Sequence, residues 1–342
     1  MCRLKEHDRG MRGSTLPHEW LSQMRVLILG GTGATGKALI RSLREESGAD
    51  ISVISRTASK LSGATRVLTG HYADIVRAPE FREELVKLDA IVHLGDGLGI
   101  LQGRARAAVD ADRLIAASES VAMAARDARV PLFAYVSSIK AICGEEDDRI
   151  LVEASEPRPT TLYGRSKLRL EQVIGAALKG SATRHVILRN PVMYSAGKDG
   201  SLHRLLMLAD TPLPLPLGGL ANKRSLLAVR NFADALAAVV RAGPAAPAGV
   251  FHVHDGAPLS TTALVATLRA ALGRPARLFP MGSAVVSVAR RTPLLGGATR
   301  RLFGSLELSD AHFRRSYAWT PIVDTRAALI DVVAHMRAQT RQ

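Results

Sequence analysis

The 342-residue sequence is poor in aromatic residues and contains only two cysteines. Phe, Trp and Tyr make up 4% of the chain and apolar residues 47%, so a core must rest mainly on aliphatic side chains. Cys2 and Cys143 form neither a disulfide framework nor a metal-ligand pattern, which favours a reducing, cytoplasmic compartment. His252 and His254 alternate along the chain with no third ligand close in sequence, and we predict no metal site.

Long apolar runs are also absent. No stretch approaches the roughly 20 apolar residues of a membrane span, so we expect no integral membrane contact. Residues 1–23 lack the apolar core of a signal peptide and are expected to form a disordered extension. Residues 205–217 are apolar but contain Asp210 and three prolines, and we interpret them as a loop.

The formal net charge of +15 is large. Such an excess could serve nucleic-acid binding, an anionic membrane surface or the steering of anionic substrates. The basic residues form no run longer than two and no aromatic-interleaved patch, so we predict no nucleic-acid partner. Most of the excess is interpreted as solvated surface, with substrate steering as the next interpretation.

Short apolar runs alternate with helical segments along the first 190 residues. Strands are predicted at 25–29, 51–54, 67–68, 90–94, 132–136 and 185–188, and helices at 36–46, 80–88, 104–129 and 163–178. This alternation predicts an α/β fold with a doubly wound parallel sheet, the Rossmann arrangement. Beyond residue 191 the pattern loosens into a smaller portion with a Pro/Gly-rich segment at 212–219.

A glycine-rich segment joins the first strand to the first helix. Gly30, Gly33 and Gly36 follow the spacing G-x-x-G-x-x-G, which allows a tight turn, close approach of backbone N–H groups to a pyrophosphate, and close helix–strand packing. A plain strand-to-helix turn is the alternative. The residues expected to contact a dinucleotide are Gly30, Thr32, Gly33, Ala34, Thr35 and Gly36. Residues 24–191 are thus predicted to be mainly an NAD(P)-binding domain, and residues 192–342 mainly a substrate-binding portion whose segments could return to the sheet.

The end of the second strand bears on the choice of dinucleotide. An acidic residue usually holds the adenosine ribose of NAD there, but Ser55 and Arg56 occupy the position. Because a guanidinium suits a 2′-phosphate, we predict a preference for NADP(H), with NAD(H) as the alternative if Arg56 stacks on adenine or faces solvent.

A Y-x-x-x-K sequence opens the predicted helix at Tyr163. The four-residue spacing places Tyr163 and Lys167 on one helical face, where the ammonium can lower the pKa of the phenol and bond a cofactor ribose. Ser138 follows a predicted strand, at the edge where parallel sheets bind ligands, and its hydroxyl could polarise a carbonyl. The combination with the glycine loop predicts proton transfer by Tyr163.

Several motifs together resemble the extended short-chain dehydrogenase/reductases, the NAD-dependent epimerase/dehydratase family. These motifs are VSSIK (136–140), YGRSKL (163–168), PLPLP (212–216), KRSL (223–226), GSL (304–306) and WTP (319–321). They are most similar to those of bacterial nucleotide-sugar 4-epimerases and 4-keto reductases of surface-polysaccharide synthesis.

The resemblance implies roles for individual residues. Ser138, Tyr163 and Lys167 would be catalytic, with Ser138 also touching substrate and the other two touching cofactor. Leu94 would contact the cofactor, and Arg224 the diphosphate of a nucleotide-sugar substrate. Relatives of this kind form homodimers through the helices that correspond to 104–129 and 163–178, so a homodimer is expected.

Some positions depart from the family pattern, namely His71, Gly95-Asp96, Asp110, Val192 and Arg230. Val192 stands where a substrate-binding asparagine is usual, which weakens the case for a standard UDP-galactose epimerase more than the case for a 4-keto reductase. Ser138, Tyr163 and Lys167 would serve both reactions at C4, so the choice stays open. A regulatory protein that senses NADP(H) without chemistry is the alternative from another class.

Overall fold

A seven-stranded parallel sheet lies at the centre of the protein. The computed structural model describes residues 23–56, 61–95, 107–196, 201–282 and 296–340. The strands are β1 (Arg25–Leu29), β2 (Asp50–Ser55), β3 (Arg66–Thr69), β4 (Ala90–His93), β5 (Leu132–Ser138), β6 (Ile150–Leu151), β7 (Arg184–Asn190), β8 (Val192–Tyr194), β9 (Leu215–Gly218), β10 (Leu226–Ala228), β11 (Gly249–His252), β12 (Leu278–Pro280) and β13 (Glu307–Leu308). The large sheet has the order β11-β7-β5-β4-β1-β2-β3 with parallel neighbours throughout, which confirms the predicted doubly wound α/β fold.

Helices cover both faces of this sheet. They are α1 (Ala34–Ser47), α2 (Tyr72–Ile75), α3 (Pro79–Leu85), α4 (Ala107–Asp127), α5 (Leu162–Leu178), α6 (Ser201–Ala209), α7 (Val229–Ala242), α8 (Thr261–Ala271), α9 (Gly296–Phe303), α10 (Ala311–Tyr317) and α11 (Thr325–Thr340). Helix α1 packs against α7, and α4 packs against α5. The predicted extension over residues 1–22, Asp96 and the start of the predicted helix at 104–106 lie outside the described residues.

The apolar runs of the strands reflect burial on both faces. In β1, Val26 and Ile28 join the apolar cluster beneath α1 and α7, whereas Leu27 and Leu29 join the cluster beneath α4 and α5. Successive side chains of a strand point to opposite faces, so a strand covered on both sides must be apolar at every position. Burial on both faces thus explains the unbroken apolar run of β1. The loop that follows Leu29 lies at the carboxyl edge of the sheet.

A third apolar cluster lies in the second part of the chain. It includes Leu206 of α6, Leu217 of β9, Leu268 of α8 and Leu329 of α11. Strand β11, which also follows residue 191, pairs with β7 and so belongs to the large sheet. In the described part of the chain, no helix is both long and apolar enough to cross a membrane.

The interpretation of residues 205–217 as a loop is wrong at both ends. Helix α6 runs to Ala209, before the first of the three prolines, and buries Leu206. Strand β9 begins at Leu215 and pairs with β12 in a two-stranded sheet of the described residues, where Leu215 N–H donates to the carbonyl of Arg277 at 3.0 Å. Prolines are tolerated there because a strand of a two-stranded sheet has one edge that needs no ladder hydrogen bonds.

Candidate active site

The glycine loop forms a close-packed turn between β1 and α1. Gly30 has a positive φ of +82°, which a residue with a side chain rarely adopts. A Cβ on Gly36 would lie 2.4 Å from the backbone of Gly31, so the first turn of α1 can approach the loop only without a side chain. Gly33 is the N-cap of α1, and no side chain caps this first turn, so its N–H groups can be donated to a phosphate. This cradle fits the pyrophosphate of a dinucleotide.

The neighbouring strand ends complete this edge. Leu94 N–H donates to the carbonyl of Leu29 at 3.1 Å, and a Cβ on Gly30 would lie 3.7 Å from Cβ of Leu94. The structure therefore brings the predicted residue Leu94 beside the glycine loop. Arg56 directly follows β2 and is exposed. Both lie where the sequence interpretation requires them.

Ser138 and Tyr163 meet at the carboxyl end of β5. Ser138 is the last residue of β5, and its Oγ also accepts a hydrogen bond from the Lys140 N–H at 3.3 Å. Tyr163 lies in the first turn of α5, which Thr161 caps by accepting the Gly164 N–H at 3.0 Å. The side chains of Ser138 and Tyr163 lie close enough together for the Ser138 hydroxyl to lower the pKa of Tyr163. The pair can therefore share one bound oxygen atom.

Lys167 lies one helical turn beyond Tyr163. Its Nζ donates to the carbonyl of Val136 at 3.0 Å and lies 5.0 Å from the ring centroid of Tyr135 and 5.9 Å from that of Tyr163. Gly95 makes room for the ammonium, since a Cβ there would lie 2.6 Å from Nζ. The sequence motif alone could not reveal this use of Gly95, which comes from another strand end.

The pKa of Tyr163 differs from the sequence-based expectation. Burial raises it to about 12, against a smaller lowering by the Ser138 hydrogen bond. We expected Lys167 to lower it, but burial is the largest influence on this pKa. Burial thus favours the protonated phenol, the form that can donate a proton.

His93 is a buried residue of this edge that the sequence interpretation did not assign to the site. Its Nδ1 accepts the Gly95 N–H at 3.0 Å, so its Nε2 carries the proton and donates to Ser118 Oγ at 2.9 Å. The Ser118 hydroxyl in turn donates a hydrogen bond to the carbonyl of Leu114 at 2.7 Å. Burial, with a contribution from Lys167, lowers the pKa of His93 to about 3. A neutral His93 thus fixes the turn that holds Gly95 beneath Lys167.

A cavity of about 310 Å³ lies between the strands of the second part of the chain and α6 and α8. Most of its walls are aliphatic, and Val192 is among them. Arg204, Arg224 and Arg301 also line it, with Nε of Arg301 3.5 Å from a carboxylate oxygen of Glu145, and its described lining contains no acidic side chain. Only Arg224 was predicted from the sequence. The cavity can therefore hold an anionic group beside an apolar one.

Arg224 is buried and held in place by the backbone around it. Its main chain exchanges hydrogen bonds with Leu259 at 3.0 and 3.1 Å, and its Nη1 donates to the carbonyl of Gly304 at 2.9 Å. This contact unites the KRSL and GSL motifs, which are 80 residues apart. One edge of the guanidinium is thus used structurally while the residue still lines the cavity.

Cys143 and His254, which the sequence analysis also considered, make contacts within the fold. Cys143 is buried, its Sγ lies 3.3 Å from the carbonyl of Ile139, and burial raises the pKa of its thiol to about 11. His254 Nε2 lies 3.3 Å from a carboxylate oxygen of Asp310. Within the described ranges, no three His, Cys, Asp or Glu side chains are grouped closely enough to hold a metal ion.

Glycine cradle, Ser138, Tyr163 and Lys167 together are the arrangement of a dinucleotide-dependent dehydrogenase fold. The pattern of the NAD dependent epimerase/dehydratase family matches residues 26–253, and the chain belongs to that family. This confirms the resemblance inferred from the sequence.

Two curated relatives span nearly the whole chain. A UDP-glucose 4-epimerase of Vibrio cholerae is 27% identical over 310 residues, which are 86% of this chain and 90% of the relative. A 3-diazoavenalumate denitrifying reductase of a Streptomyces species is 29% identical over 321 residues, 87% of this chain and 96% of the relative. The relatives thus include both an epimerase and a reductase.

Similar solved structures agree on the fold. The UDP-glucose 4-epimerase of Thermotoga maritima with UDP-glucose is 18% identical, with a TM-score of 0.69 over 93% of this chain and 100% of that chain. A human epimerase family protein with NADPH is 20% identical, with a TM-score of 0.65 over 91% and 99% of the two chains. At these identities the likeness concerns the fold alone.

Proposed function

We propose that this protein is an NAD(P)-dependent enzyme that acts at C4 of a nucleotide-linked sugar, as a UDP-4-keto-sugar reductase or a UDP-hexose 4-epimerase. The observation that carries the proposal is the juxtaposition of Ser138 and Tyr163, with Lys167 one turn away, at the sheet edge that also carries the glycine cradle. A bound nicotinamide would supply or accept the hydride. A pure sensor of NADP(H) has no need for this trio or for a cavity lined by arginines.

Each of the proposed site residues would have a role in this reaction. Ser138 donates a hydrogen bond to the C4 oxygen and aligns it with Tyr163, which gives or takes the proton at that oxygen. Lys167 is placed to bond a cofactor ribose. In the cavity, Arg224 would bind the diphosphate, assisted by Arg204 and Arg301, while the aliphatic walls hold the remainder of the nucleotide.

Two observations favour the reductase. Val192 lines the cavity at the position where the epimerases carry an asparagine. The Streptomyces relative is named a reductase. The Vibrio relative, named an epimerase, keeps the second reaction as the alternative.

We also propose a cofactor preference and an oligomeric state, neither of which follows from family membership alone. Arg56, exposed at the end of β2, supports NADP(H) over NAD(H). Helices α4 and α5 pack side by side, and Val109 and Met123 of α4 are exposed, which supports a homodimer through this face. We further propose that the enzyme is cytoplasmic and that its product enters surface-polysaccharide synthesis. Residues 192–342 would form mainly its substrate-binding portion.

The test is a spectrophotometric assay of nicotinamide consumption. Purified protein is mixed with NADPH or NADH and a UDP-4-keto-6-deoxy-N-acetylhexosamine, with Tyr163→Phe as the matched variant. Consumption that the variant loses supports the reductase, and the preferred nucleotide tests the assignment of Arg56. If nothing is consumed, UDP-hexose interconversion is measured next. Absence of both reactions would contradict the proposal and favour the sensor.

A further inference from the structure

A buried ion pair lies beneath the catalytic helix, between α5 and the sheet. Glu171 of α5 faces Arg189 of β7, with Nε–Oε1 at 3.0 Å and Nη2–Oε2 at 2.6 Å. The two side chains are only 5% and 7% exposed. Ser137 of β5 donates its hydroxyl hydrogen to the same carboxylate, and Nη1 of Arg189 lies 3.4 Å from the carbonyl of Glu153. The pair therefore links α5 with two strands of the sheet.

The position of Glu171 relates it to the catalytic residues. Tyr163, Lys167 and Glu171 are spaced four residues apart, so they occupy successive turns on one face of α5. Tyr163 adjoins Ser138, Lys167 bonds the carbonyl of Val136, and Glu171 bonds Ser137. Three turns of the helix thus contact three consecutive residues at the end of β5. Glu171 lies two turns beyond Tyr163 and also forms the ion pair with Arg189 of β7.

Stability alone does not account for this pair. Removing two charges from water is costly, and replacing a buried ion pair by apolar side chains of similar volume is often neutral or stabilising. What the pair adds is geometry: a bidentate guanidinium–carboxylate contact has a fixed distance and direction. In the register of the sheet, Arg189 lies opposite Ser137, so the pair fixes α5 at one height along β5.

We propose that the Glu171–Arg189 pair is a positioning element that sets α5 along β5 and so holds the Tyr163 hydroxyl at Ser138 and Lys167 at Val136. Neither residue touches substrate in this assignment. A shift of the helix by about 1 Å would lengthen the Ser138–Tyr163 contact, and misplacement on this scale can slow a reaction about 100-fold. The kinetic part of the inference rests on the proposed function.

The test replaces the pair without stranding a charge. In the triple variant Ser137→Ala/Glu171→Met/Arg189→Met, we expect kcat to fall at least about tenfold, because the alignment of Tyr163 is lost. KM should change less than about threefold, because the arginine-lined cavity is intact, and the unfolding midpoint should change little. The milder variant Glu171→Gln keeps the shape of the side chain and one acceptor oxygen, and should retain more of kcat than the triple variant. If the triple variant does not fold, Glu171→Gln alone must show a selective loss of kcat.

A control pair separates positioning from general damage. Asp310 is also a buried carboxylate, 2.8 Å from Nη2 of Arg314, but it is the N-cap of α10, which packs against β11 and α7. Asp310→Asn should lower stability and leave kcat unchanged. Retention of kcat within about twofold in the triple variant, whatever its stability, would overturn the inference.

A crystal structure of the triple variant supplies a readout that needs no substrate. We expect the hydroxyls of Ser138 and Tyr163 to lie farther apart than in a crystal structure of the wild-type protein. An unchanged contact would refute the positioning role even if activity were lost. Conversely, if the wild-type protein turns over no nucleotide sugar, the proposed function fails, and this distance still decides the structural inference.

Discussion

Gly33 and Gly36 belong to the same loop, but we expect their replacement to have opposite consequences. A Cβ on Gly36 would lie 2.4 to 2.5 Å from three backbone atoms of Gly31, none of which can rotate away. A Cβ on Gly33 would meet nothing nearer than the Gly30 carbonyl oxygen at 4.0 Å. Gly36→Ala should therefore destabilise the protein, whereas Gly33→Ala should act mainly on cofactor binding.

The magnitudes follow from these contacts. Overpacking a close contact costs about 1–3 kcal/mol, and here α1 must move away from β1 as a body. Alanine at a helix position regains up to about 1 kcal/mol relative to glycine, so the net loss for Gly36→Ala is about 1–2 kcal/mol. For Gly33→Ala, the entropy lost by the unfolded chain roughly offsets the poorer N-cap, and the free energy of unfolding should change by less than about 0.5 kcal/mol.

Urea unfolding and nicotinamide fluorescence distinguish the two effects. Gly36→Ala should lower the unfolding midpoint, and Gly33→Ala should leave it unchanged but weaken NADPH binding, because the added methyl group occupies the face offered to the pyrophosphate. If Gly36→Ala were as stable as the wild type, or if Gly33→Ala bound NADPH normally, the steric account of this loop would be refuted.

Three further outcomes are expected. Tyr163→Phe should reduce turnover about 10²–10⁴-fold while NADPH binding, followed by fluorescence, stays within a few-fold; an active variant would refute the proton-transfer role. Arg56→Ala should weaken NADPH binding and leave NADH binding nearly unchanged, and equal losses for both would contradict the 2′-phosphate assignment. Burial lowers the pKa of His93 and His252 to about 3 and that of His185 to about 4. Because the unfolded chain binds these protons first, the free energy of unfolding should fall as the pH drops from about 6.5 towards 4, and a flat urea-midpoint profile over that range would contradict it.

Local sequence patterns were sufficient for the fold class and for the choice of Ser138, Tyr163 and Lys167 as candidate catalytic residues. The apolar run of β1, the glycines after it and the four-residue spacing of Tyr163 and Lys167 are each readable within about ten residues. Their placement follows because the carboxyl ends of parallel strands share one edge, which brings Ser138 to the same edge as Gly30. A position that depends on such a rule can be predicted without coordinates.

Contacts between distant segments could not be read in this way. Arg204 and Arg301 join Arg224 at the cavity only because α6 and the segment around Leu302 fold against β10. The same holds for the Glu171–Arg189 pair and for the ammonium of Lys167 above Gly95. The prolines of residues 205–217 were also misleading, since they lie after the end of α6 and at the edge strand β9 and do not mark one continuous loop.

The sequence by itself determined a doubly wound α/β protein with a glycine cradle, a Ser–Tyr–Lys trio and membership of the epimerase/dehydratase family, because those features are encoded by short-range periodicity and spacing. Only the tertiary structure decided that burial raises the pKa of Tyr163, that His93 is held in one neutral tautomer, and that a cavity lined by Val192 and three arginines lies in the second part of the chain. These properties depend on the exclusion of water by groups that are distant in sequence. Such burial is set by the packing of whole helices and strands.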